Sequence, residues 1–324
     1  MDKEMGRRAF LAGSLAAGAV AGASREERIL LAQLEQGGEP ESKPAESTRE
    51  TLPTGKIGNA SISRVICGGN LIGGWAHSRD LIYVSKLFKA YNTDEKVMDT
   101  LELCEQHGVN AVLTNPVSGP VINRYWKERG GKIQWISECH PKKNDVKTNV
   151  DQVVDQGATL VYIQGAVGDH LVKEERLDVI GETVNYVKFH GLPAGVGAHA
   201  LEGPVACEKA GVDPDFYVKT LHPGQYWSAR REGQPEWVIE NPADNYWSVT
   251  PDETIRFMET LEKPWIAFKV LAAGAIHPND GFRYAFENGA DFICVGMFDF
   301  QVAEDAAIAR RILDGLERKR PWRA

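Results

Sequence analysis

The chain is short of several signatures that would fix its class at once. Its five cysteines among 324 residues form no CxxC pair. They are scattered through apolar segments at Cys67, Cys104, Cys139, Cys207 and Cys294, which excludes a zinc-ribbon spacing and favours buried thiols, with disulfides left open. There is no excess of positive charge: 37 Lys and Arg stand against 45 Asp and Glu, a net charge of -8. That balance argues against a phosphate-binding face and so against nucleic acid as a partner. No GxGxxG follows the first strand pattern, and neither HxH nor HExxH occurs. No apolar run is long enough to span a bilayer stably. What is present is an ordinary globular composition, 43% apolar and 25% charged, with 32 glycines and 16 prolines. Such a chain buries a large core.

The N-terminus reads as an address rather than as fold. Arg7-Arg8-Ala9-Phe10-Leu11 precedes a weakly apolar, Gly- and Ala-rich run ending in Ala21-Gly22-Ala23, a small-x-small cleavage form. It resembles a twin-arginine export signal, with Gly6 where such signals carry Ser or Thr. The resemblance implies residues 1–23 as signal, passage of the folded chain through the twin-arginine machinery, a periplasmic or extracellular location, and no stable membrane span after cleavage. Residues 24–50 are rich in Glu, Gln, Ser and Pro and read as a flexible linker. The folded domain is then 51–324.

From Thr51 on, short β-branched runs alternate with longer helical patterns, the mark of parallel βα units. Strands are predicted at Arg64–Cys67, Ala111–Thr114, Ile133–Ser137, Leu160–Ile163, Ala194–Gly197, Phe216–Thr220, Ile266–Val270 and Phe292–Val295. Helices are predicted at Asp94–Gln106, Pro120–Arg129, Val146–Gln156, Glu174–Phe189, Pro204–Lys209, Pro251–Leu261, Asn279–Glu287 and Ala303–Glu317. Eight such units in this length predict an α/β fold, the (β/α)8 TIM barrel, whose chemistry sits on the loops after the strands. His107-Gly108 and His190-Gly191 read as helix ends, so those histidines are structural.

Leu52-Pro53-Thr54-Gly55-Lys56-Ile57-Gly58, followed by Ser63-Arg64 and Cys67-Gly68-Gly69, resembles the N-terminal β-hairpin and first strand of the aldo/keto reductases. The resemblance continues through Gly108–Thr114, Lys132–Glu138 and Leu160–Gln164, then fades after Gly195-Val196-Gly197. It implies the family's barrel. The family's catalytic Asp, Tyr, Lys and His fall on Leu113, Ser118, Glu138 and Gln164, so the resemblance implies the fold without the reductase chemistry. Gly197-Ala198 likewise replaces the Ser-Asn step used against nicotinamide, which makes NADP the lesser expectation.

The emptied mouth is refilled by other groups. Glu138 and His140 end the third strand two residues apart and so point to one side. His199 and His222 follow the fifth and sixth strands. A carboxylate and three imidazoles are the expected ligands of a divalent metal, Zn²⁺ or Mn²⁺; the alternative is that they bond one another and substrate without metal. Lys269, at the end of the seventh strand, is a candidate for imine formation or, in a plainer role, for holding a substrate oxygen. Glu138, His140 and Lys269 are the candidate catalytic residues. Residues 221–250 form a connection far longer than usual and read as a lid. Its Tyr226, Trp227 and Trp247, with Asn70 and Gln164, are expected to bind substrate, because ring faces and short polar groups suit a sugar; the alternative is a lid that packs on the barrel through those rings. Trp75 and His77 are expected to border the same mouth. The function expected is an exported, metal-dependent isomerase, lyase or hydrolase acting on a carbohydrate or polyol. The alternatives are a divergent NADP-linked oxidoreductase, a non-catalytic sugar-binding barrel, and an imine-forming aldolase.

Overall fold

β-Branched and aromatic residues mark most of the strands, which lie between helices with polar outer faces. The computed structural model describes residues 51–75, 77, 78, 81–241 and 246–324. The export signal, the linker and Asn245 lie outside the described residues. Strands β1 (Thr54–Ile57) and β2 (Ala60–Ser63) pair antiparallel as a hairpin, turning at Gly58 with φ 59°. Eight parallel strands then close a barrel: β3 (Val65–Gly68), β4 (Ala111–Thr114), β5 (Gln134–Cys139), β6 (Leu160–Ile163), β7 (Ala194–Ala198), β8 (Phe216–Thr220), β9 (Trp265–Phe268) and β10 (Phe292–Val295). Closure comes from β10 pairing with both β9 and β3. The fold is the expected TIM barrel with its N-terminal hairpin.

Alternation sorts the strand side chains into two cores. Ile66, Ala111, Leu113, Ile136, Leu160, Tyr162, Phe216, Val218, Ile266, Phe292 and Cys294 fill the barrel, and the hairpin adds Ile57, Ala60 and Ile62 to that cluster. The intervening positions, such as Val112, Trp135, Val161, Tyr217 and Ile293, pack outward with the helices. The hairpin therefore plugs one end, and the other end is the mouth. All five cysteines are buried thiols.

Two differences from the sequence reading bear on the mouth. The connection after β3 carries two helices, α1 (Asn70–Gly73) and α2 (Val84–Tyr91), where none was predicted. The helix predicted at Glu174–Phe189 starts later, because a separate helix precedes it. The helices after α2 are α3 (Asp94–Gln106), α4 (Gly119–Arg129), α5 (Thr148–Asp155), α6 (Gly165–Lys173) and α7 (Leu177–Phe189), and Glu175 separates the last two at φ 56°. Then come α8 (Glu202–Ala210), α9 (Pro251–Glu259), α10 (Pro278–Glu287) and α11 (Asp299–Asp314). His107 and His190 cap α3 and α7, with Gly108 and Gly191 left-handed behind them, as expected. Among the described residues no helix is long and apolar enough to cross a membrane.

Candidate active site

The strand ends at the mouth surround a cavity of about 790 Å³, within the range that holds a small substrate. Glu138 and His140 reach it from the end of β5. Glu138 is the hub of that wall. Its Oε1 accepts from the Tyr162 hydroxyl at 3.2 Å, and its Oε2 accepts from Asn115 Nδ2 at 3.2 Å and lies 3.2 Å from His140 Nε2. Burial, then the Glu138 charge, pushes the Tyr162 phenol well above its usual value, so it stays protonated and donates.

Two strands further round the barrel, the backbone N–H groups of His199 and Ala200 donate to the buried Asp169 carboxylate. Asp169 comes from α6, the helix after β6. His199 Nδ1 lies 2.9 Å from the same carboxylate. Two backbone donors mark that oxygen pair as an acceptor, so Nδ1 carries the proton and Nε2 is the nitrogen available to the cavity that His199 lines. Burial, reinforced by the positive charge of Lys269, lowers the His199 pKa to about 4 against the pull of Asp169. Gly165 makes room for this ring, because a Cβ there would lie 3.0 Å from its Cε1. Lys219, fully buried on the outer side of β8, donates to the carbonyls of His199 and Thr220 at 2.8 and 3.1 Å and fixes the end of β7 from behind.

Lys269, one residue past β9, lines the cavity and holds φ at 58°, a left-handed conformation costly for a residue with a Cβ. His222 stabilises that turn. It is fully buried and outside the cavity wall, its Nδ1 is 2.8 Å from the Lys269 carbonyl, and its Nε2 receives the Ser248 N–H at 2.9 Å with the Tyr226 hydroxyl at 3.3 Å. Burial lowers its pKa to about 3. Both ring nitrogens are thus committed to protein, and His222 fastens a loop rather than serving the mouth.

The remaining expected residues divide in the same way. Asn70 and Gln164 line the cavity, and Gln164 Oε1 also caps α6 by accepting the Val167 N–H. Tyr226, Trp227 and Trp247 do not line it. Tyr226 sits against His222, Trp227 is 74% exposed and Trp247 is buried among protein groups. The ring faces at the mouth come instead from Trp75, Phe88, Phe268 and Phe298, with His77 beside them. Tyr162, Asn115 and Asp169 were missed in the sequence. Tyr162 was within reach of the alternation argument, being two residues after the inward-facing Leu160 on β6. Asp169 left no such signal, since only the turn of α6 brings it under His199.

The donor types expected for Zn²⁺ or Mn²⁺ are not assembled as a preformed set. Among the described residues no three His, Cys, Asp or Glu side chains are placed to hold a metal ion. Glu138 and His140 adjoin, whereas His199 rises from another strand and His222 is engaged elsewhere.

No protein-family model matches the sequence, and no curated protein does. Solved structures do resemble the fold. A protein of Pseudomonas aeruginosa assigned to the aldo-keto reductases superposes with a TM-score of 0.55 at 16% identity, over 82% of this chain and 98% of that one. An N-acetylneuraminic acid synthetase from Leptospira borgpetersenii reaches 0.44 at 11% identity, over 84% and 93%. A deoxyribose phosphate aldolase from Aeropyrum pernix reaches 0.43 at 14%, over 78% and 91%. At these identities the likeness is one of architecture, an aldo-keto reductase-like barrel.

Proposed function

We propose that this chain is an enzyme that moves a proton at the carbon beside a carbonyl in a small polyhydroxylated substrate held in the barrel mouth. One observation carries the reading: the Asp169–His199 pair offers a neutral imidazole to a cavity that Lys269 also lines. With its pKa near 4, His199 is unprotonated at neutral pH, and Asp169 fixes the tautomer that leaves Nε2 as the base. The C–H proton goes to Nε2 and the bond's electron pair moves to the carbonyl oxygen. The Lys269 ammonium stabilises the charge that develops there. The Tyr162–Glu138 pair on the neighbouring strands β6 and β5 supplies a second protonated donor and its acceptor. Returning the proton to the former carbonyl carbon, as the neighbouring hydroxyl proton passes to the old carbonyl oxygen, gives an isomer; re-forming the carbonyl while a hydroxyl leaves the next carbon as water, with the proton from Nε2, gives a lyase product. Both outcomes share this first step.

The substrate class follows from the walls. Asn70, Asn115 and Gln164 offer amides to hydroxyls, and Trp75, Phe88, Phe268 and Phe298 offer ring faces to C–H edges, a pairing suited to a sugar or polyol. A divalent ion at Glu138, His140 or His199 would polarise the same oxygen, but every step above is carried by the chain's own groups. Export along the twin-arginine route to the periplasm belongs to the same proposal.

Incubation in D2O with a panel of aldoses, ketoses and sugar keto acids tests it. Proton NMR should show solvent deuterium entering the carbon beside the carbonyl in at least one member. His199→Asn and Lys269→Met should each slow that exchange by about 100-fold or more, while Trp227→Ala leaves it unchanged. Absence of exchange across the panel, or full exchange in His199→Asn, overturns the proposal.

A further inference from the structure

We propose that the connection after β3 docks the barrel mouth onto an anionic lipid bilayer. Among the described residues nothing covers an apolar surface on this connection. No residue of α2 is buried, and the turn before it holds Leu81, Ile82 and Tyr83 in solvent, Ile82 at 92% exposure. Leu87 and Trp75 are exposed beside them. The helix is anchored from behind: the Phe88 and Tyr91 rings meet Phe298 edge-on at 5.3 and 5.5 Å, and Asn92 Nδ2 donates to the Leu71 carbonyl. An anchored helix with an uncovered apolar side needs a partner, because contiguous apolar surface in water is costly.

Charge identifies the partner. Residues 79–91 carry Arg79, Lys86 and Lys89 against the single acid Asp80, with Lys86 and Lys89 exposed, in a chain whose net charge is -8. The acids of neighbouring elements are already paired: Asp299 with Lys96 at 3.0 Å, Asp94 with Arg124 at 2.7 Å, and Glu95 with Arg129 at 3.1 Å. The patch is therefore apolar and cationic on an acidic protein. A second copy docked through the same patch by two-fold symmetry would bring both pairs of lysines into one interface. Leu81, Ile82, Tyr83 and Leu87 are exposed outside the lining of the mouth cavity, open to a soft layer. Protruding Ile and Leu, flanking Trp and Tyr, and lysines that meet lipid phosphates make up an interfacial docking element.

The same connection supplies Leu71, Trp75 and Phe88 to the cavity rim. Docking would thus set the mouth against the membrane surface and admit substrates that carry an apolar tail.

Vesicle flotation with the full chain tests this. Wild-type protein should float with phosphatidylcholine vesicles containing about 30% phosphatidylglycerol and stay behind with pure phosphatidylcholine, and raised salt should weaken the association. In the same full-length background, Ile82→Asp with Leu87→Asp should reduce flotation about tenfold or more, and Lys86→Glu with Lys89→Glu should do so through charge alone. All four positions are exposed, so an unchanged melting curve verifies the fold of each variant. Three results would overturn the proposal: no flotation of the wild type, flotation undiminished in the Ile82→Asp/Leu87→Asp protein, or a concentration-dependent dimer that the same substitutions dissolve.

Discussion

At the scale of single residues, His199 ties reactivity to stability. The unfolded chain protonates this imidazole near the ordinary value of 6.5, whereas the folded chain holds the proton off until about 4. Between those values the unfolded state binds more protons, so stability is full above pH 6.5 and falls as pH drops through that window. His222, lowered to about 3 by burial, acts with the same sign. Calorimetry at pH 8, 6 and 4.5 should show a melting temperature that declines below pH 6.5, and His199→Asn should flatten part of that decline. An identical pH dependence in the variant would show that His199 titrates freely in the fold. Strand periodicity alone placed Glu138 and His140 on one side of β5, because a period of two fixes which side chains face inward. The same argument failed for His222. It lies beyond the last residue of β8, and a segment distant in sequence, arriving with Ser248, folds over it and takes its Nε2.

At the scale of elements, the segment 221–250 carries the clearest consequence. His222 ties its start to Ser248 near its end and to the carbonyl behind Lys269. Replacing the imidazole with Phe leaves that carbonyl and the Ser248 N–H without their partner, at a cost of about 2–3 kcal/mol. Most of the cost should be local. Limited proteolysis is expected to cut His222→Phe within 223–241 at concentrations that leave the wild type intact, with the barrel fragments otherwise resistant. Protection equal to wild type would mean that the ring packing of Tyr246 and Trp247 holds the segment without His222. The existence of the eight strands and of the helices between them was legible because each repeats an apolar period. Helices α1 and α2 were not. Their caps carry no side-chain hydrogen bond, and α2 keeps its apolar side in solvent, so the pattern of a helix buried on a core is missing. The helix predicted from Glu174 misplaced its start for a related reason. Glu175 adopts a left-handed turn without a glycine to announce it, and α6 is capped by Gln164, a residue set aside for substrate.

At the scale of the whole molecule, a barrel must close, and closure here depends on a knot at the hairpin end. Asp291, immediately before β10, is fully buried. Its Oδ2 accepts the Trp265 N–H of β9 at 3.0 Å and the Arg320 guanidinium at 2.6 Å, and its Oδ1 accepts the Arg323 N–H. Its carbonyl receives Arg64, the residue before β3, at 3.0 Å. Arg64 lies 3.9 Å from the centre of the Trp322 ring, and burial lowers its pKa to about 10 while Asp291 opposes that shift. Asp291 thus joins β9 and the segment that follows α11 through its carboxylate, and the residue before β3 through its carbonyl. A β10 without it would still be apolar enough to pair, but the guanidinium of Arg320 would be left buried with no counter-charge. Removing one partner of a buried ion pair costs about 3–5 kcal/mol, more than the pair itself contributes. Asp291→Ala should therefore lower the urea midpoint by that equivalent while the slope of the transition stays unchanged, since the same surface is exposed when a closed barrel opens. A loss below about 1 kcal/mol would mean that strand pairing closes the barrel without this knot. A second, earlier transition would mean that the closing strand detaches before the rest. A single late transition at reduced midpoint is expected, because β10 bonds to both neighbours and cannot leave without opening the inner core that Phe292 and Cys294 share with the hairpin.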